Sequence, residues 1–358
     1  ADTEVAVNVC AVGTGYTDAY GNGVGEAQDT ANYAVETLAP TISSITNSDT
    51  ALKTGDTSTL TIVFNEAVAA FDKTDVSCPA GTLGDLSTGN SITWTGTFTP
   101  TAATDDDTNT CDIAATYTDT AGNTGPTGSS ANYVVETLSP QADSITMSDT
   151  TLIEGETATF TIVFSETVAG FASGDDVSCP AGSLTTMTSS DQITWTGTFT
   201  PTSSTTDLVN TCEVGTGYLD DAGNSGGAGQ SANYKVDTVA PTVSSITFAD
   251  TALKAGETSL VTIVFSEAVA GFANGDLTIA QGTMTAVADG GDSITWTSIF
   301  TPTADVEDDA NVLSITASSY TDTLGNAGAG GSSANYEVET LRPTLTIDIV
   351  SNNDVVTL

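Results

Sequence analysis

Carboxylates and thiols are the side chains in this sequence whose number and regularity could support chemistry. Asp and Glu total 46, Lys and Arg total 5, and histidine is absent, so the formal net charge is −41. Two chemistries follow from acids alone. A pair of carboxyls flanking a sugar linkage can hydrolyse it, one as acid and one as base or nucleophile. Carboxylates mixed with Asn and backbone carbonyls can supply the six to eight oxygens that calcium takes. The acids recur at equivalent places along the chain and form no single unmatched cluster, which argues against catalysis. Calcium remains as a candidate ligand, set against the plain alternative of a solvated acidic surface. No EF-hand or nonapeptide calcium loop is present. Nothing points to an organic cofactor: the pieces Gly13-Thr-Gly15 and Gly215-Thr-Gly217 open no helix that would make them phosphate loops.

The cysteines come and go in pairs. Cys78 and Cys111 lie in one stretch, Cys179 and Cys212 hold the matching places in the next, and a third carries Ile279 and Leu313 there. Paired loss, with both positions turning apolar, implies mutual contact. Disulfides Cys78–Cys111 and Cys179–Cys212 are therefore expected, with a hydrophobic contact replacing them in the third stretch. Zinc is the rival reading, but two thiolates without histidine make a poor site. Disulfides imply an oxidising compartment. Closing a loop of roughly 30 residues adds about 3–4 kcal/mol in the chain-entropy model. Cys10 matches Cys111 and Cys212, so it is unpaired in this window and its partner is expected upstream.

These side chains are positioned by an internal repeat. The phrase Ala-Asn-Tyr recurs with tyrosines at Tyr33, Tyr133, Tyr234 and Tyr336, at intervals of 100, 101 and 102 residues. Pro40, Pro140, Pro241 and Pro343 mark where each unit begins. The expected domains are the C-terminal part of a repeat at 1–39, complete repeats at 40–139, 140–240 and 241–342, and the start of another at 343–358. Ala1 to Thr14 read as mid-domain, so a longer parent protein is expected. Within a unit the apolar period is two: Leu60, Ile62 and Phe64 alternate with Thr59, Thr61 and Val63. About seven strands are expected per unit, near 41–46, 57–65, 74–79, 82–87, 91–99, 109–117 and 130–136, with no amphipathic helix. Trp94, Trp195 and Trp296 share parity with flanking Ile and Phe and are read as core. The fold class is all-β, as tandem immunoglobulin-like β-sandwich repeats of about 100 residues forming an extended rod.

In such a sandwich alternate loops gather at opposite ends. Loops 65–75 and 118–130 should face the preceding unit, and loops 47–56 and 100–108 the following one. The first pair holds Glu66, Asp72, Asp75, Asp119 and Asn123; the second holds Asp49, Asp56, Asp105, Asp106 and Asp107. The connectors add Glu36, Glu136, Asp237 and Glu339, each four residues before a linker proline. The proposed calcium set at the joints is Asp49, Glu66, Asp119, Glu136, Asp149, Glu166, Asp220, Asp237, Asp250, Glu267 and Asp322. An ion there would replace like-charge repulsion with a shared counter-charge and stiffen the rod.

The repeat resembles the bacterial immunoglobulin-like domains arrayed in large surface adhesins and biofilm-associated proteins. The motifs that carry the likeness are Ala51-Leu-Lys-Thr-Gly-Asp56, Thr61-Ile-Val-Phe-Asn-Glu-Ala-Val68, Trp94-Thr-Gly-Thr-Phe-Thr-Pro100, Tyr117-Thr-Asp-Thr-Ala-Gly-Asn123 and Ala131-Asn-Tyr133. They recur through nearly the whole sequence. The resemblance implies an extracellular, cell-attached stalk, often with calcium at its joints. Paired cysteines depart from the usual cysteine-poor arrays.

The expected function is a non-catalytic extender segment of an extracellular bacterial surface adhesin, serving cell adhesion or biofilm. A subunit of a self-assembling extracellular filament, sheath or surface layer is the alternative, and a carbohydrate-binding or hydrolytic module the third. Partners are then neighbouring repeats of the same chain, or identical chains in a fibre. A surface this acidic repels nucleic acid and anionic lipid. No run reaches the roughly 18–20 apolar residues of a membrane span.

Overall fold

The computed structural model describes residues 4–23 and 25–347. The further repeat expected at 343–358 therefore lies outside the described residues from 348 onward. Each complete repeat folds as two β layers around its own core. In the first, one layer runs Gly81–Leu83, Thr93–Pro100, Ser58–Phe64, Ile42–Asn47, with Ser87–Thr88 also on the long strand. All are antiparallel, and Trp94 faces Ile62 while Thr95 faces Thr61. The opposite layer is built from short ladders. Tyr133–Glu136 lies between Asp105–Asn109 and a parallel Ala51–Leu52, and Asp112–Ile113 lies between Gly128–Ser129 and Val76–Ser77.

Alternation explains the layering. Leu60, Ile62, Phe64, Phe98, Tyr117, Tyr133 and Val135 are all at most 1% exposed, whereas alternate residues such as Thr59 and Thr97 face solvent. The equivalent core of the third repeat is Val261, Ile263, Phe265, Phe300, Tyr320, Tyr336 and Val338. The tryptophans differ from expectation: they are half-buried, flanking the core, with Trp94 edge-on to Phe71 and Trp296 edge-on to Phe272. Tyrosine and phenylalanine fill the centre.

Three strand expectations are corrected, the one at 82–87 being interrupted between Gly81–Leu83 and Ser87–Thr88. The strand expected at 74–79 begins at Val76, because Lys73–Asp75 forms a single helical turn capped by Asp72. Ser173–Asp176 and Asn274–Asp276 repeat that turn. The strand expected at 109–117 is two pieces, Asp105–Asn109 and Asp112–Ile113. Asn109 breaks it, turning its amide to the carbonyls of Asp106 and Tyr133 at a register shift.

The chain groups into two compact units. One comprises Ala1–Gln141 with Phe164–Phe171 and Gly215–Gly227; the other comprises Ala142–Val163, Ala172–Val214 and Ala228–Leu358. The first unit is informative by itself. Two loops of the second repeat, 164–171 and 215–227, belong with the first repeat, which is what joint-facing loops should do.

Candidate functional site

The acidic joints rest on one local device, the Asp-x-x-Gly-Asn turn. In the first repeat Asp119 Oδ1 accepts the N–H groups of Ala121, Gly122 and Asn123 at 2.8, 2.7 and 2.9 Å. Gly122 has φ +100°, a left-handed conformation that a side chain would strain. The turn is anchored from below by Tyr117, whose buried hydroxyl donates to the Pro126 carbonyl at 2.9 Å. A Cβ on Gly125 would meet that ring at 2.2 Å, so glycine is required there. The turn thereby aims Asp119 Oδ2 and the Asn123 amide outward, toward the linker.

At the second joint, within the first compact unit, Asn224 ties three segments together. Its Nδ2 donates to Asp220 Oδ2 at 2.8 Å, to Glu136 Oε2 at 2.7 Å and to the Glu136 carbonyl at 3.0 Å. Its Oδ1 accepts the Thr54 N–H, from the turn of the first repeat, at 2.8 Å. Asn224 is 2% exposed. Burial pushes the Glu136 carboxyl up to about 7, helped by a shared hydrogen bond with Asp220 and by the charges of Asp220 and Glu166. Glu166 is raised for the same reasons, burial first, then Asp220, Asp105 and Asp221. Burial works against ionising Asp220 too, but the Asn224 hydrogen bonds outweigh it and hold that carboxyl below its usual range.

The third joint, within the second unit, repeats the plan with a shorter linker acid. Asn326 accepts the Glu154 N–H at 3.0 Å and donates to Asp322 Oδ2 at 2.7 Å and to the Asp237 carbonyl at 2.8 Å. Asp237 turns its carboxylate to Thr206 Oγ1 at 2.8 Å and the Val239 N–H at 3.2 Å. Oxygens of Asp237, Glu267 and Asp322 all lie within 4.8 Å of one another. Burial raises Glu267, and the charges of Asp237 and Asp322 add to it. Three hard oxygen donors with no cation among them fit a divalent ion of the calcium type.

The structure thus brings Glu136, Glu166 and Asp220 together at one joint and Asp237, Glu267 and Asp322 at another. Glu66 and Asp119 meet Glu36 at the leading end of the first repeat, where Asn123 donates to Glu36 Oε2 at 2.5 Å and both acids raise the Glu36 carboxyl, after burial. Asp49, Asp149 and Asp250 are not drawn in. Each instead caps its own turn, accepting from the backbone two residues on, at Ala51, Thr151 and Ala252. Asp105 reaches the second joint through its field on Glu166, whereas Asp106 and Asp107 continue along a strand. The asparagines are joint residues that the expected set lacked, and they act there as hydrogen-bond donors to the acids. Their signal was in the sequence, as the last residue of every Asp-x-x-Gly-Asn motif.

Cys78 is bonded to Cys111 and Cys179 to Cys212, each 33 residues apart. In the third repeat Leu313 is fully buried and Ile279 packs against the same core. Cys10 is exposed and unpaired, 3.6 Å from the Tyr33 hydroxyl. No helix among the described residues is long and apolar enough to cross a membrane.

The family described as "Bacterial Ig-like domain" matches three times in tandem, at residues 36–135, 136–236 and 237–338. No curated protein matches the chain. Among solved structures, the N-terminal eight Ig domains of Down syndrome cell adhesion molecule align over 92% of this chain and 50% of that one, at 12% identity and TM-score 0.29. The chain therefore spans half the length of that relative. A marsupial T cell receptor aligns over 81% of this chain and 99% of that one, at 13% identity and TM-score 0.25.

Proposed function

Since the chain belongs to the bacterial Ig-like domain family, we propose that it is an extender segment of an extracellular bacterial surface adhesin. Tandem domains of this family form a structural module of the surface or adhesion type. The observation that carries the finer reading is the joint. A spacer must transmit length from one domain to the next, and Asn224 and Asn326 join the linker, the incoming loop and the outgoing turn with one buried amide each. Disulfides in two repeats support an extracellular setting, where thiols oxidise and stay oxidised. Acids at the joints and turn caps recur from repeat to repeat, which supports a non-catalytic role.

Calcium at the joints completes the reading. Asp237, Glu267 and Asp322 would hold it at the third joint, and Glu136, Glu166 and Asp220 at the second. The ion supplies the counter-charge that lets three carboxylates stay ionised side by side. The chain's own residues do the rest: the Asp-x-x-Gly-Asn turn orients one ligand, the linker brings the second, and the loop after the long core strand brings the third. Electron microscopy of the purified protein tests the extender. Isolated rods of roughly 40 Å per repeat, or about 120 Å for three, are expected; compact globules would overturn it.

A further inference from the structure

We infer that the large sheet of the third repeat is a lateral docking face for a second copy of this chain. Charge is segregated between the two layers of each sandwich. In the first repeat the strands Ile42–Asn47, Ser58–Phe64, Gly81–Leu83, Ser87–Thr88 and Thr93–Pro100 contain no ionisable residue. The opposite layer carries Asp105, Asp106, Asp107, Asp112, Asp119 and Glu136. The third repeat follows the same rule: its large sheet has a lone acid, Asp289, on a short strand at one edge, while the opposite layer has Glu307, Asp308 and Asp309 in a row. On a chain of net charge −41 these sheets carry little charge: none in the first repeat, Asp143 in the second and Asp289 in the third.

The third repeat adds an apolar patch. Leu260 and Ile299 are paired across neighbouring strands and are 45% and 38% exposed. Their counterparts are Thr59 paired with Thr97, and Thr159 paired with Thr198. Both members of one outward pair have therefore turned from threonine to a large hydrophobe together. A solvated face gains nothing from that exchange, and a covered one gains buried apolar area.

The electrostatics name the occupant. Two copies of a −41 chain repel wherever their acidic layers approach, and a sheet whose lone acid, Asp289, sits at one edge keeps that cost small. A face-to-face pairing about a two-fold axis sets the same threonine, leucine and isoleucine patch of each copy against that of the other at the roughly 10 Å spacing of packed sheets. Three strands of 6, 7 and 8 residues with a 3-residue edge strand, about 4.8 Å apart, offer on the order of 400 Å² per copy. That area puts the contact in the weak, concentration-dependent class. The face lacks an outward ring on which a sugar could stack, because Trp296 packs inward on Phe272. The inference goes beyond the extender reading: a chain that stays single would sink it and leave the extender standing.

The test is sedimentation equilibrium of the full chain across concentration, at low salt and in about 1 M sodium chloride, where the screening length falls to about 3 Å. Self-association that strengthens with salt is expected. The double variant Leu260→Thr, Ile299→Thr, which restores the residues of the other repeats, should weaken it about tenfold or more with the unfolding curve unchanged. If that variant is itself destabilised, Thr247→Asp, an exposed change on the edge strand of the same face, should also abolish association. A parent that is monomeric in both salts, or variants that associate as the parent does, overturns the proposal. So does retention of a monomeric chain on an immobilised neutral polysaccharide, which would assign the face to a glycan.

Discussion

The second and third complete repeats solve the same two problems with different residues. Where the second closes its sandwich with Cys179–Cys212, the third packs Ile279 and Leu313 against the same core. Where the second is entered through Glu136, the third is entered through Asp237. One methylene decides the second difference. Glu136 is long enough to put Oε2 on the Asn224 amide, so its carboxyl sits beside Asp220 and is pushed up to about 7. Asp237, one methylene shorter, accepts from Thr206 Oγ1 and lies with Glu267 and Asp322 in a group of three converging carboxylates. The lesson is that position is held by the fold while each repeat chooses its own chemistry for it.

The largest effect should come from the disulfides. Reduction removes about 3–4 kcal/mol of unfolded-state restraint from each bonded repeat in the chain-entropy model. Calorimetry with and without reductant should show two transitions falling and the third, that of the repeat with Ile279 and Leu313, unmoved. A uniform shift would mean that the repeats do not unfold independently. Calcium comes next. At about a hundredfold excess over its dissociation constant, a ligand specific to the folded state adds about 2.7 kcal/mol. Heating scans with calcium and with chelator should differ markedly, and Asp322→Asn should reduce the difference. Identical scans would remove calcium from the reading.

The asparagine ties should follow. Asn224→Ala leaves the Thr54 N–H and the Glu136 carbonyl without their buried partner, a loss of about 1–3 kcal/mol. Asn123→Ala should cost less, since Asn123 is only half-buried and contacts the linker and Asp119 alone among the described residues. Equal losses in thermal scans of the two variants would show that the contact with the preceding repeat's turn adds no stability.

Most of the fold was legible because period-two alternation and a hundred-residue repeat are strong signals, and both report burial directly. Leu60, Ile62 and Phe64 could be placed from parity alone. The tryptophans were misjudged because parity gives the side a residue faces and not how deep it sits; Trp94 lies at the margin of the core near a strand end. The break at Asn109 was hidden because its cause is tertiary, an amide turned onto the neighbouring strand. The joint acids were legible as a class. Which of them converge was not, because Asp49 and Glu66 look alike in sequence while one is occupied by its own turn and the other faces the linker.

The smallest predicted effect, on pH, distinguishes the two joints most directly. Glu136 keeps its proton up to about 7 in the folded chain and titrates near 4.5 when free. Between those values the folded state binds the extra proton. The stability from this group is therefore complete below about 4.5 and is lost as pH rises through about 7. Glu166, Glu36 and Glu267 run in the same direction. Asp119 runs the other way. Burial opposes its charge, but the Asn123 hydrogen bonds prevail and hold it at about 2, so its contribution is present above 3.8 and lost as pH falls through about 2. In chelator, melting temperature should fall between about pH 5 and about pH 8, by the equivalent of about 1 kcal/mol once solvent screening of a half-exposed carboxyl is allowed for. Glu136→Gln should flatten most of that slope, because a neutral amide mimics the protonated acid beside Asp220. Calcium should flatten it as well, by replacing the proton as counter-charge. A slope that survives both would place the titrating group outside the second joint.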